Sequence, residues 1–377
     1  MNRSDLDRNA YMLRGSLAKK GYMSWYHTFR GTQPQTQETR TFFVEYRIMN
    51  PALGGTQPIL GQHPYFRKRG MKPSYVLIKV GSFPTEDGDD GLQLNAYYPI
   101  SSLQSTKTPF ILQVEDCFYS ENRIFGFIDI SEEEARHRSF MTDEGYMEWD
   151  LEVHKAVSFH TGILCGPLCT AIGALTSFFH GEGIRTFYRG TISLNGIPYE
   201  VTPEDSYGYA DKHWGKSFNR PLLRFASGHL ISRTTGREYK HSALAIDGCS
   251  PKLFCFPLRR RLFIQLTYMG EDFEFHFANL KNPSRSRWEI KRTNRRYIWH
   301  IKAQNRDAVI KISLSCTREQ LMELTYESPA GDISPNPLLG AGVGVGTVQT
   351  FRRTGEGLQL IDTLSVSDAL CQYQSEN

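Results

Sequence analysis

Apolar and polar residues alternate along most of the chain, in short runs that end at turn residues. Residues 22–29 and 41–48 are two such runs on either side of a polar turn, and residues 191–201 form another pair around Asn195 and Gly196. Because successive side chains of a strand point to opposite faces, this alternation is typical of half-buried β-strands. An Asn-Gly pair between two such runs strongly favours a hairpin turn. The pattern predicts antiparallel strands rather than long helices.

The second half of the chain repeats this pattern. Further runs follow between residues 222 and 316, at spacings typical of a β-sandwich or β-barrel, and two more lie near the C-terminus. The regular alternation of strands and helices found in dinucleotide-binding folds is absent. One short helix is predicted at residues 131–138, where Ser131 and Glu134 match a capping box.

Residues 159–179 interrupt the β pattern with a segment that contains no charged residue, FHTGILCGPLCTAIGALTSFF. Its length alone would permit a membrane span. However, it contains Pro167 and three glycines, and it lies between predicted strands. We favour a buried or lid-like irregular segment with a helical turn. A dip into a membrane surface and a true span are the alternatives.

Charge is distributed unevenly along the chain. The net charge is +4, but residues 212–318 contain 22 Lys and Arg against 7 Asp and Glu, a net charge of +15. The remainder contains 22 basic and 33 acidic residues, a net charge of −11. Opposite charges of this kind either hold two halves of a protein together or mark a surface for an anionic partner. Both interpretations stay open at this point.

Cysteine usage predicts the compartment. The seven cysteines are scattered and odd in number, and the first residues, MNRSDLDRNAYMLRGS, are polar. This favours reduced thiols in a cytoplasmic protein, with peripheral membrane contact as a further option. Cys165 and Cys169 have the spacing of one metal-ligand pair, but no second pair accompanies them, so no metal site is predicted.

The segment Tyr207–Gly215, YGYADKHWG, has the highest density of chemically active residues. On a strand, Tyr209, Asp211 and His213 share one face, and Lys212 and Trp214 share the other. A carboxyl group among aromatic rings is desolvated, which favours its neutral form and allows it to donate a proton. The alternative is structural: Asp211 pairs with a nearby Lys or Arg, and Trp214 fills the core.

Two smaller clusters are further candidates. Trp25 and His27 share a face of the predicted strand 22–29, and His180 and Glu182 are close enough in sequence to share a proton network. For the first cluster the alternative is an aromatic core strand with a surface histidine. For the second it is a turn with solvated polar groups. A serine-hydrolase nucleophile motif of the G-x-S-x-G type is absent.

Three segments, in this order, resemble motifs of the tocopherol cyclase family, which is related to carotenoid 1,2-hydratases and fungal Diels–Alderases. They are Lys20–Phe29 (KGYMSWYHTF), Phe42–Ala52 (FFVEYRIMNPA) and Tyr207–Gly215. The family patterns are close to E-G-W-Y-F-K, S-x-E-N-P-A and Y-x-E-K-N-W-G. The third motif is the most specific. His213 departs from it, because the family usually has Asn there.

The resemblance implies two lipocalin-like domains with a lipophilic ligand in or between them, and chemistry without metal or cofactor. An acid protonates an alkene, and water or an internal phenol captures the carbocation. Asp211 falls at the family's acid position and is the implied proton donor. Lys212 matches the family Lys that tunes it, and Tyr209 and Trp214 match its aromatic positions.

Together, these observations predict a mainly β fold of two lipocalin-like antiparallel β-barrel or sandwich domains with a few short helices. We place the domains at residues 1–205 and 206–377. The predicted catalytic residues are Asp211, Tyr209 and His180, and the predicted substrate-binding residues are Trp25, His27, Glu182, Lys212, His213 and Trp214. The predicted partner is a lipophilic unsaturated small molecule, which the chain cyclises, hydrates or isomerises, or else only carries. A third option is an anionic-polymer or membrane-surface binder that uses the basic second half.

Overall fold

The computed structural model describes residues 7–87, 89–159, 161, 167–218, 222–249, 252–253, 256–257, 261–279 and 281–375. Within these ranges the chain is mainly β, with helices of four or five residues, so the predicted fold class is confirmed. The helices are α1 (Ser16–Lys19), α2 (Pro64–Lys68), α3 (Glu132–Arg136) and α4 (Pro167–Ala171), with 3₁₀ turns at Pro51–Leu53 and Ile100–Ser102.

The first sheet is antiparallel and takes its strands from the first part of the chain. They are β1 (Tyr22–Thr32), β2 (Thr39–Met49), β3 (Tyr75–Ser82), β4 (Leu92–Tyr98), β5 (Leu103–Lys107), β6 (Phe110–Val114), β7 (Cys117–Ser120), β8 (Arg123–Ile130), β9 (Gly145–Phe159), β10 (Ser177–Leu194), β11 (Ile197–Val201) and β12 (Gly208–Gly215). The order is β4-β3-β2-β1-β11-β10-β9-β8-β7-β6-β5, and β12 pairs with both β1 and β10. The sheet curls so that β4, at one edge, meets the segment just before β9. There the Asp143 amide donates to the Gln93 carbonyl of β4 at 2.9 Å.

The rest of the chain forms a second antiparallel sheet and a small separate pair of strands. The strands are β13 (Leu222–Ser227), β14 (His229–Ser232), β15 (Ala243–Cys249), β16 (Lys252–Leu253), β17 (Phe256–Pro257), β18 (Arg261–Tyr268), β19 (Glu271–His276), β20 (Arg285–Arg292), β21 (Arg296–Gln304), β22 (Ala308–Thr317), β23 (Met322–Leu324), β24 (Leu338–Thr354) and β25 (Gly357–Gln374). The order in the second sheet is β19-β18-β15-β13-β25-β24-β22-β21-β20, with β14 attached to β25 and β23 attached to β24, and β16 and β17 form the separate pair. The inner face of the second sheet buries a core of its own, which includes Phe225 and Trp299.

Local sequence signals behave as predicted. Asn195 and Gly196 both have positive φ, 49° and 81°, and they connect β10 to β11 in a tight hairpin. Ser131 caps α3 and forms the capping box with Glu134. In the segment 159–179, α4 supplies the helical turn, but residues 160 and 162–166 lie outside the described residues. No helix in the described part of the chain is long and apolar enough to cross a membrane.

Strand β12 is the feature that positions the site. All eight of its residues are buried, whereas β8 shows the ordinary alternation of buried and exposed residues. One face of β12 points into the first sheet, and the other packs against the second sheet. Residues 208–215 therefore belong to the first sheet, although our predicted boundary placed them in the second domain. The division into two domains itself stays a prediction.

Candidate functional site between the two sheets

Period-two geometry brings Tyr209, Asp211 and His213 to one face of β12, as the sequence analysis expected. The Tyr209 hydroxyl donates to Asp211 Oδ2 at 2.6 Å, and His213 Nε2 lies 3.5 Å from the same oxygen. Asp211 is 1% exposed. The face that carries these residues is the one that meets the second sheet.

The second sheet contributes two charged residues that the sequence analysis did not select. Arg224 of β13 places Nε 3.1 Å from Asp211 Oδ2, and Asp247 of β15 places Oδ1 3.4 Å from His213 Nε2. Arg224 also donates to the Gln372 side chain of β25 at 3.1 Å. The imidazole of His213 therefore lies between two buried carboxyl groups, one from each sheet.

The surroundings shift the pKa values of these two carboxyl groups in opposite directions. Burial alone would raise the pKa of Asp211, but the Arg224 guanidinium, His213 and the Tyr209 hydroxyl lower it below its usual value. Burial raises the pKa of Asp247, which His213 and Arg224 only partly oppose. The expectation that desolvation keeps Asp211 protonated is wrong, because Arg224 neutralises its charge. Of the two carboxyl groups, Asp247 is the one whose pKa lies above its usual value.

A narrow cleft between the sheets reaches His213 and Arg224. Its other walls are Tyr22, Arg47, Phe218, Leu222, Tyr326, Leu338, Gln372 and Gln374. Its volume is about 40 Å³, room for one or two water molecules. A prenylated ligand would have to widen it. The apolar cavity implied by the family resemblance is therefore much smaller here than expected.

Arg47 gives the cleft a second cation. Its Nη2 atom lies 2.6 Å from Glu45 Oε1, and its guanidinium lies 4.0 Å from the centre of the Tyr326 ring. The Tyr326 hydroxyl donates to the other oxygen of Glu45 at 2.9 Å. Arg47 Nη1 is buried and has no hydrogen-bond partner within the described part of the chain.

The remaining predicted residues lie on the opposite face of β12, inside the first sheet. The Lys212 ammonium lies 5.1 Å from the Trp25 ring and 4.9 Å from the Trp214 ring, and it donates to the Arg8 and Ala10 carbonyls. Burial lowers the pKa of Lys212 to about 7. Lys212 therefore anchors the N-terminal segment and does not contact Asp211 as the resemblance implied.

His27 and Glu182 join a separate buried network inside the first sheet. His27 Nδ1 lies 2.9 Å from the Tyr188 hydroxyl, and burial lowers the pKa of His27 to about 3. Glu182 accepts from the Tyr119 hydroxyl at 2.5 Å and from Lys155 at 2.6 Å. Both residues lie in strands, so the turn considered for Glu182 is not formed.

His180, which we predicted to be catalytic together with Asp211 and Tyr209, lies on the other side of the first sheet from them. It is fully buried on β10, directly opposite Lys212 in the strand pairing. Residues opposite each other share a face of the sheet, so His180 faces the interior of the first sheet and Asp211 faces away from it. The predicted residues thus separate into two groups on the two faces of β12.

No arrangement of three or more His, Cys, Asp or Glu side chains suited to a metal ion is found among the described residues. No protein-family model matches the chain, and no curated protein sequence matches it.

Several solved structures are similar over nearly the whole chain. Kievitone hydratase from Nectria haematococca has 11% identity and a TM-score of 0.46, over 100% of this chain and 94% of the hydratase. The protein CghA, solved with Sch210972, has 9% identity and a TM-score of 0.47, over 95% and 89% of the two chains. A protein from Nitrosomonas europaea has 11% identity and a TM-score of 0.43, over 93% of each chain. At this level of similarity, function has to be inferred from the side chains of the site.

Proposed function

We propose that the chain is a cofactor-independent enzyme that adds a hydroxyl group across a carbon–carbon double bond of a lipophilic small molecule. The reaction is a hydration when the hydroxyl belongs to water and a cyclisation when it belongs to the substrate. The position of His213 supports this most directly. Its side chain lines the cleft, and its Nε2 atom lies 3.4 Å from Asp247 Oδ1 and 3.5 Å from Asp211 Oδ2.

In this proposal His213 transfers the proton. It accepts the proton of the hydroxyl group as the oxygen bonds to one alkene carbon, and the imidazolium then gives that proton to the neighbouring carbon. The sum is addition of O–H across C=C, with no net change in protons. The ionised carboxylate of Asp211 stabilises the imidazolium while it exists. Asp211 is thus a positioning residue here and not the proton donor that the resemblance implied.

Arg47 and the aromatic walls suggest the substrate class. A weak acid such as imidazolium does not protonate an isolated alkene efficiently, so the double bond has to be conjugated to a polar group. The unpaired Nη1 of Arg47 would donate to the oxygen of that group and polarise the double bond. The rings of Tyr22, Phe218 and Tyr326 offer apolar contacts to the rest of the molecule.

The test is turnover of enones, with prenylated phenols and polyenes as comparison substrates that have no conjugated polar group, followed by mass spectrometry of the products. We expect His213→Gln to lower kcat by 10²-fold or more, about the usual contribution of a general acid–base group. The matched control is His154→Gln, because His154 is an exposed histidine on β9, away from the cleft. Equal turnover by the wild type and His213→Gln would remove His213 from the mechanism.

A second candidate function is non-catalytic binding of the same class of ligand. The ion pair between Asp211 and Arg224 favours this alternative, because Arg224 lowers the pKa of Asp211 and so removes the proton donor that the resemblance implied. Native mass spectrometry of the purified protein separates the two functions. A retained, unmodified lipid with no conversion of any added substrate would favour the carrier.

A further inference from the structure

The outer face of the second sheet contains a row of basic residues that ordinary sheet stability does not explain. Arg287 of β20 lies directly opposite Lys302 of β21, which in turn lies directly opposite Lys311 of β22. Like charges at directly opposite positions destabilise a sheet. None of these three cations has an acidic partner in the described part of the chain. Repulsion between neighbouring cations that no acidic residue relieves is typical of a functional surface.

The row forms the floor of an open groove of about 550 Å³. Gln349 of β24 continues the row beyond Lys311, and Thr363 of β25 follows it. The adjacent row contains Glu289, which lies opposite His300 and is the single acidic residue among the described residues that line the groove. Arg285 adds a further cation in a smaller hollow of about 220 Å³ that shares Arg287 and Lys302. The groove is therefore strongly cationic and lined with hydrogen-bonding groups.

Apolar side chains lie beside the cations on the same face. The Lys311 ammonium lies 4.9 Å from the centre of the Phe351 ring. Phe351 is directly opposite Leu360, and Arg353 is directly opposite Leu358. Leu358 is 52% exposed and Leu360 is 49% exposed. Exposed leucines next to unpaired cations match the two layers of a membrane interface, its anionic headgroups and its apolar interior.

We propose that this basic face docks on a membrane surface, where its cations contact anionic phospholipid headgroups and Leu358 and Leu360 enter the interfacial layer. Single-stranded nucleic acid fits the face less well, because such binding needs several exposed aromatic rings for stacking, and Phe351 is only half-exposed. Trp299, on the central strand of the basic row, is fully buried in the core of the second sheet.

The test is co-sedimentation of the full chain with vesicles of phosphatidylcholine alone and of phosphatidylcholine with about 30% phosphatidylglycerol. We expect binding to the anionic vesicles and little to the neutral ones. In Lys302→Gln/Lys311→Gln the partition coefficient should fall by about 30-fold, or about 5-fold for each charge. The matched control is Lys68→Gln/Lys72→Gln, which removes two exposed lysines near α2 and should change binding less than 2-fold, about the scatter expected for charges away from the contact.

A second variant separates a membrane from a soluble polyanion. Leu358→Ser/Leu360→Ser should weaken vesicle binding but leave binding to inorganic polyphosphate unchanged. The proposal is wrong if neutral and anionic vesicles bind equally, or if both lysine pairs lower binding by the same factor. It is also wrong if the face binds polyuridine but no vesicles. A dimer that dissociates in Lys302→Gln/Lys311→Gln would instead assign the face to a second copy of the chain.

Discussion

Replacing Arg224 with methionine removes the cation that neutralises the buried carboxylate of Asp211. The two side chains are 10% and 0% exposed, and their nearest atoms are 3.1 Å apart. Removing one partner of a buried ion pair costs about 3–5 kcal/mol, because the other charge stays buried without compensation. Methionine retains most of the apolar stem of arginine, so we expect the free energy of unfolding at neutral pH to fall by about that amount.

The loss should shrink as the pH falls. In the wild type the pKa of Asp211 is lowered, so its ionised form adds stability above the unfolded-state pKa of about 3.9, and this stability is lost as the pH falls through the folded-state pKa. In Arg224→Met burial dominates and raises the pKa of Asp211. The destabilisation that this buried charge causes is then present at neutral pH and fades as the pH falls from that raised value to about 3.9. The difference in stability between the two proteins should therefore shrink down to about pH 4 and vanish only below the lowered pKa of Asp211 in the wild type.

The assay is urea unfolding followed by tryptophan fluorescence at several pH values. The control is Arg123→Met, which breaks the surface pair with Asp150, whose side chains are 51% and 54% exposed. An exposed pair contributes about 0–1 kcal/mol, with little pH dependence near neutrality. Asp211→Asn in the Arg224→Met background should recover part of the loss. If Arg224→Met and Arg123→Met were equally mild at every pH, the ion pair would not have the role assigned to it.

Two further predictions concern buried ionisable groups outside the cleft. Burial raises the pKa of Glu327 to about 7, so the stability that its protonated form adds should be lost as the pH rises from about 4.3 to 7. Glu327→Gln should flatten this part of the pH profile of the unfolding free energy, measured by urea unfolding. An unchanged profile would contradict the role assigned to Glu327. Lys212→Met should speed hydrogen exchange of the amides at residues 9–13, because Lys212 holds the Arg8 and Ala10 carbonyls. The half-buried Lys216→Met is the control, and equal exchange in both variants would show that Lys212 does not anchor this segment.

The fold class could be predicted from the sequence because the period of a strand is local. The alternation along residues 191–201 and the Asn195-Gly196 turn between its two halves need no knowledge of distant residues, and both are confirmed. The same local rule placed Tyr209, Asp211 and His213 on one face of a strand. It could not tell which of the two faces of β12 meets the second sheet, since both are buried.

The partners of the site were missed for a physical reason. Arg224 and Asp247 lie in predicted strands, where a charged residue among apolar neighbours is a signal for a buried ion pair. What one sequence does not contain is the packing of β13 and β15 against β12, which brings Arg224 to Asp211. Without that packing, the pairing of Asp211 with a nearby Lys or Arg stayed an alternative with no named partner, and the direction predicted for its pKa from desolvation was wrong.

Because the two sheets each supply half of one charge cluster, we expect positions 211 and 224 to change together during evolution. A homologue that lost the carboxylate but kept the guanidinium, or the reverse, would inherit an unneutralised charge in its interior. Grafting one half of this chain onto the complementary half of a relative should therefore succeed only where the donor and recipient agree at both positions. The residues at positions 211 and 224 therefore decide which halves can be combined in one stable protein.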